Sequence, residues 1–93
     1  MKPYVYKAKI VYIEAMQFDG TAQSVQRMMD EWGQPFMKVV KHKGGFIEIE
    51  TLEGIMTGRA TDWIIRGTAG EFYPCKDEIF QRKYENVALE DGE

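Results

Sequence analysis

Apolar and polar residues alternate along both ends of this chain, and between them apolar residues recur every three to four positions. The first alternating stretch runs from Tyr4 to Phe18. Val5, Lys7, Lys9, Val11, Ile13, Ala15 and Gln17 form one set; Tyr4, Tyr6, Ala8, Ile10, Tyr12, Glu14, Met16 and Phe18 form the other. Both sets hold β-branched or aromatic residues, so the pattern predicts a strand partly covered on two faces. The stretch is long for one strand, and a bend or bulge is expected near Ala8 or Glu14, or two strands parted by a kink.

Asp19-Gly20-Thr21 breaks this pattern and opens a helix. Thr21 suits the N-cap, where its hydroxyl accepts from a backbone amide two or three residues on. Val25, Met28, Met29 and Trp32 fall on one stripe, with Gln23, Gln26, Arg27, Asp30 and Glu31 opposite. Gly33 supplies a left-handed C-cap and Pro35 forbids continuation. The spacing therefore predicts an amphipathic helix over 21–32 whose methionine stripe faces a core.

Period two returns at Met37. Short strands are expected at Met37–Lys41, Phe46–Thr51, Ile55–Arg59, Trp63–Arg66 and Glu71–Tyr73. Turns fall at Lys43-Gly44-Gly45, Glu53-Gly54, Ala60-Thr61-Asp62 and Gly67-Thr68-Ala69-Gly70, and Pro74 ends the last strand for want of an amide proton. Lys76–Phe80 reads as one helical turn and Arg82–Val87 as a final strand or helix end. The sum is an α+β fold: a small twisted antiparallel sheet of five or six strands, curling toward a barrel, with the helix packed against it. One domain is expected over residues 1–87, followed by an acidic, frayed tail at 88–93.

Composition narrows the function more than it defines it. The hydrophobic fraction is 44% and the charged fraction 29%, which excludes a disordered or collagen-like chain. No apolar run approaches the roughly 20 residues of a membrane span. Met1-Lys2-Pro3-Tyr4 lacks the apolar stretch of a signal peptide, so a cytoplasmic protein is expected. Twelve Lys and Arg stand against fifteen Asp and Glu. Four of those acids (Glu85, Glu90, Asp91, Glu93) lie in a terminal stretch without a base, so residues 1–84 carry twelve bases against eleven acids, a net of +1. A near-neutral body is a poor footprint for nucleic acid.

Catalytic groups are sparse. Cys75 is the single cysteine and His42 the single histidine, which excludes an internal disulfide and any cysteine-rich or multi-histidine metal site. Cys75 at the start of a helical turn, beside Lys76, is conceivable as a thiolate, but no base pairs with it, and a small buried hydrophobe is the plainer reading. Lys38, Lys41, His42 and Lys43 before two glycines can meet a phosphate, yet no phosphate-loop pattern accompanies them, and lysines guarding an edge strand explain them better. Glu48 and Glu50 share a strand face without an acid-base partner. No enzyme, cofactor or metal is expected.

Trp63, Arg66, Phe72 and Tyr73 form the richest set. An offset of three places Trp63 and Arg66 on opposite faces of a regular strand, and Phe72 and Tyr73 split likewise. One aromatic of each pair is then core, and the other is expected on an outer face with Arg66 and Arg59. Arg59, Arg66, Trp63, Tyr73 and Lys76 are accordingly the candidate binding residues, since exposed aromatics beside cations suit base stacking or partner binding. The competing reading covers that face with the C-terminal segment or another subunit.

The run from Asp62 to Phe80, DWIIRGTAGEFYPCKDEIF, with Tyr84-Glu85 following, is similar to a family of small phage and prophage proteins ending in a GDWIIRGxxGEFYPCKPDIFxxxYE pattern. Val11–Gly20, VYIEAMQFDG, resembles that family's xVxIEAMQFDG opening, and Thr51-Leu52-Glu53-Gly54 also occurs there. Two departures stand out: Ala60-Thr61 replaces Pro-Gly before Asp-Trp, and Lys76-Asp77-Glu78 replaces Lys-Pro-Asp. The first loosens a turn; the second removes a rigid helix start, which Asp77 can still cap. The resemblance implies a phage or prophage origin and carries no catalytic residue. It points to a non-enzymatic accessory protein that binds a host protein in the host cytoplasm, as an inhibitor of antiviral defence. Alternatives are a binder that sequesters a small nucleotide signal and a virion structural part. A thin core and a free sheet edge also make a homodimer a natural partner arrangement.

Overall fold

Thr21 and Gly33 bracket the longest helix of the chain in a computed structural model, which describes residues 2–87. The Thr21 hydroxyl accepts from the Ser24 amide, and Asp19 in turn accepts from the Thr21 amide at 2.9 Å. The Thr21 hydroxyl, which donates to the same carboxylate, and then the Thr21 amide hold the exposed Asp19 carboxyl down at about 2, with Arg27 adding to the effect. Helix α1 spans Ala22–Trp32 and ends where Gly33, at φ +68°, donates its amide to Met29. Val25, Met28 and Trp32 are buried as the stripe requires. A single-turn helix α2, Gln34–Met37, follows and buries Phe36.

Six strands divide into two three-stranded antiparallel sheets. The first is ordered β1 (Glu14–Gln17), β5 (Trp63–Arg66), β6 (Phe72–Cys75); the second is β2 (Val40–Lys43), β3 (Phe46–Thr51), β4 (Gly54–Arg59). The fold is α+β as expected, but the described strands do not close into a barrel: β1, β6, β2 and β4 each end a sheet, with a ladder partner on one side only. The sheets instead press together through side chains. Gly58 marks one close approach, since a Cβ there would lie 3.2 Å from Ile64 of the other sheet and 3.1 Å from its own neighbour Ile47. Ile47, Ile49, Ile64, Phe72, Phe36 and Trp32 belong to one buried cluster that joins both sheets to the helices. Trp32, Phe36 and Phe72 form a triangle at its centre, with ring centroids 5.1–5.4 Å apart.

The long first strand is corrected to four residues, Glu14–Gln17. Alternation alone does not make a strand; a ladder partner does, and β5 offers only four residues before Gly67 turns away. Residues 2–13 therefore run as an arm outside either sheet. Other boundaries move as well. The strand expected at Met37–Lys41 begins at Val40, because α2 occupies the preceding residues, and Pro74 lies inside β6 opposite Ile64 rather than after it. Pro74 is tolerated there because β6 is an edge strand. The final strand or helix end expected over Arg82–Val87 reduces to the last turn of helix α3, Asp77–Lys83, with no strand after it. The acidic tail at 88–93 lies outside the described residues. No helix among the described residues is long and apolar enough to cross a membrane.

Thr61 tests the looser turn before Trp63. It is the one non-glycine residue described with positive φ, at 78°, and it stands where the resembled pattern carries glycine. A left-handed conformation costs an L-residue roughly 1–2 kcal/mol. Thr61→Gly should therefore raise stability by about 1 kcal/mol in thermal or denaturant unfolding, offset in part by the greater freedom of the unfolded chain.

Candidate functional site

Alternation within β5 sends Trp63 and Ile65 to one face of the first sheet and Ile64 and Arg66 to the other, and the antiparallel register extends that division across the sheet. Ile65 faces Tyr73 and Trp63 faces Cys75, whereas Arg66 lies opposite Phe72 and Glu14. Arg66 thus shares the face of Phe72, not that of Tyr73. This corrects the expectation of one outer face holding Arg66 and Tyr73 together.

The Trp63–Tyr73 face is covered by α3. Phe80 stacks on Trp63 at 4.2 Å and 10°, and Tyr84 lies beyond it at 5.1 Å. The Trp63 indole donates to Asp77 Oδ1 at 2.7 Å. That bond, with one from Gln81, holds the Asp77 carboxyl below its ordinary range. Asp77 is the first helical residue and its side chain serves Trp63; the N-cap is Lys76, which makes no side-chain cap bond. Burial, and after it a hydrogen bond with Tyr84, pushes the Tyr73 phenol up to about 12. Ile65 is fully buried beneath this second small core. Burial likewise pushes the Cys75 thiol up, against the pull of Lys83, so no thiolate is prepared there.

Lys76 and Arg59 are both drawn toward Asp62. Asp62 is 3% exposed, and its carboxylate accepts from the Arg59 amide at 2.9 Å while Lys76 Nζ lies 3.7 Å away. The Arg59 guanidinium itself sits 5.7 Å from the Phe46 ring centroid, on the second sheet. The five candidate residues therefore fall into three places: Trp63, Tyr73 and Lys76 beside α3, Arg59 over Phe46, and Arg66 on the far face.

Arg66 opens onto a groove of about 330 Å³ where the arm joins β1. Tyr12, Ile13 and Glu14 form one wall; Arg66, Gly67 and Thr68 form the other. Glu14 fixes the geometry, accepting from the Trp32 indole at 2.8 Å while its same oxygen lies 3.6 Å from Arg66. The Gly67–Gly70 turn carries its own anion. Glu71 Oε1 accepts from the Ala69 amide at 3.0 Å, and a Cβ on Gly67 would collide with that carboxylate. The Gly67 and Gly70 amides are also engaged, with the Glu71 and Gly67 carbonyls. An incoming phosphate would meet Glu14 and Glu71 and find these turn amides occupied, so the groove suits a neutral or mixed polar and apolar segment better than an anion.

Sequence reasoning missed Glu14, Tyr12 and Thr68 as groove residues. The parity of Glu14 and Arg66 was readable on each strand, but only the register shows that they face each other. Comparison of this chain with family models, curated proteins and solved structures finds no match.

Proposed function

We propose that this chain is a non-enzymatic phage or prophage accessory protein that binds a host protein in the host cytoplasm, as an inhibitor of antiviral defence. The observation that carries the binding reading is the open groove in which Tyr12 and the Glu14–Arg66 pair line facing walls. Tyrosine and arginine are the residues that most often anchor protein interfaces, and a shallow groove of mixed chemistry fits an extended peptide segment. The phage assignment rests on the resemblance of Asp62–Phe80 and Val11–Gly20 to the phage pattern. Sequestration of a nucleotide is the weaker reading, because the Glu71 carboxylate already fills the turn that would hold a phosphate.

Affinity purification of the tagged full chain from phage-infected cells tests this reading. A stoichiometric host protein is expected with the wild type, and at least tenfold less of it with Arg66→Ala or Thr68→Arg. Both variants should keep the wild-type melting curve, because Arg66 is half-exposed and Thr68 exposed. Equal recovery with both variants would remove the groove as the binding site. Release of a nucleotide on heating, with no protein partner, would replace the reading with sequestration.

A further inference from the structure

The arm holds the largest group of exposed apolar side chains in the described chain. Val5 is 99% exposed, Tyr6 86% and Ile10 84%, and Tyr4 and Tyr12 are nearly as open. Among the described residues the arm makes no backbone hydrogen bond. Its composition, with three tyrosines, two valines and two isoleucines among residues 2–13, is that of a strand without a ladder. The chain is correspondingly extended: its radius of gyration is 15.2 Å, against about 12 Å for a compact chain of this length.

A matching vacancy in ladder bonding exists on β4. This six-residue strand ends the second sheet, pairs only with β3, and is exposed from Gly54 to Thr57. The other edges suit the arm less well. β1 offers only four residues, Pro74 interrupts β6, and β2 carries Lys41, His42 and Lys43, which would repel the arm's lysines. Acids outnumber bases beside β4: Glu48 and Glu50 lie outward on β3 and Glu53 sits at the hairpin tip, against Arg59 at the end of β4 and Lys43, 4.0 Å from Glu48; Leu52 and Ile55 at that tip are both strongly exposed.

We infer that the arm of one copy adds as an extra strand to the β4 edge of a second copy, and that two such exchanges make a reciprocal homodimer. Charge selects a second copy as the occupant. Residues 2–13 hold Lys2, Lys7 and Lys9 and no acid, a net of +3, while residues 14–87 hold nine bases and twelve acids, a net of −3. Arm-to-arm pairing about a two-fold axis at Ala8 would instead place Lys7 against Lys9, which like-charge repulsion disfavours. Topology directs the arm outward, since β5 and β6 stand between β1 and the second sheet. Ten extended residues reach about 33 Å, enough to lie along a neighbouring sheet edge. Tyr4 and Tyr6 of two exchanged arms carry roughly 600 Å² of surface, with Tyr12 left to the groove. With Val5, Ile10 and the Ile55 side of the hairpin this approaches the interface of a stable dimer, on the order of 1,200–2,000 Å².

Light scattering of the full chain, followed by zero-length carbodiimide cross-linking of an equal mixture of ¹⁵N-labelled and unlabelled protein, tests this. A dimer is expected, with Lys7 or Lys9 joined to Glu48, Glu50 or Glu53 in peptides of mixed isotope. Tyr6→Asp with Ile10→Asp, or Ile55→Asp alone, should weaken dimerisation at least tenfold without shifting the monomer's unfolding. Arg66→Ala, which alters the groove and not the β4 edge, should leave the dimer intact. A monomer at 100 μM overturns the inference, and so do cross-links confined to single-isotope peptides, which would place the arm on its own body. A dimer whose mixed-isotope cross-links avoid β3 and β4 overturns it equally.

Discussion

Phe36→Ala is expected to destabilise the protein by about 4 kcal/mol, a large share of its whole margin. Truncating a buried phenylalanine costs roughly 3–5 kcal/mol, from lost transfer energy and the cavity left behind. A chain of this length has only about 5–14 kcal/mol in total. Phe36 is fully buried, and its ring meets both Trp32 and Phe72, so neither neighbour can fill the space without leaving the other. The single-turn helix α2 has no other buried residue to hold it, so its displacement should also free the start of β2. Urea unfolding would read the loss as a fall in midpoint at constant slope. A loss below about 1 kcal/mol would mean that the aromatic triangle is not the centre of the core.

The second large effect belongs to Trp63. Trp63→Ala removes the stack on Phe80 and the bond to Asp77 together, and those are the contacts that fasten α3 to the first sheet. An expected loss of about 3 kcal/mol follows, less than for a fully buried tryptophan because Trp63 is half-buried. Trp63→Phe keeps a ring for Phe80 and loses only the half-buried hydrogen bond to Asp77, which should cost about 1–2 kcal/mol. Amide exchange separates the two: alanine should expose Asp77–Lys83 and Tyr73 to rapid exchange, whereas phenylalanine should leave the helix protected. Unchanged protection of α3 in Trp63→Ala would show that the helix is held by Tyr84 or by its own capping instead.

These two sites also show what could be read from sequence and what could not. Helix α1 was legible because both ends carry local signals, Thr21 and Gly33, around an unbroken stripe. Strands β3 and β5 fall where alternation placed them. The arm did not follow its pattern, because alternation reports only that residues can face a sheet, while the presence of a partner depends on β5 being four residues long. The opposite faces of Trp63 and Arg66 were legible, since parity within one strand is local. Their companions on β6 were not, because carrying parity to the next strand requires the register set by the Gly67–Gly70 turn. The cover provided by α3 was legible only as an alternative, since Phe80 reaches Trp63 across seventeen residues through a helix that the sequence suggests as a single turn. Asp62 gave no signal, and Asp77 read as a helix cap rather than as the acceptor of the Trp63 indole, because that role appears only with its partner.

We propose that this protein binds its partner through the groove at the root of the arm and not through the aromatic face under α3. Amide exchange on its complex with the captured host protein measures that directly. Slowed exchange at residues 12–14 and 66–70, with 77–84 unchanged, is the predicted result. Protection confined to 77–84, with the groove residues exchanging as in the free protein, would contradict it and return the binding surface to Trp63 and Tyr73.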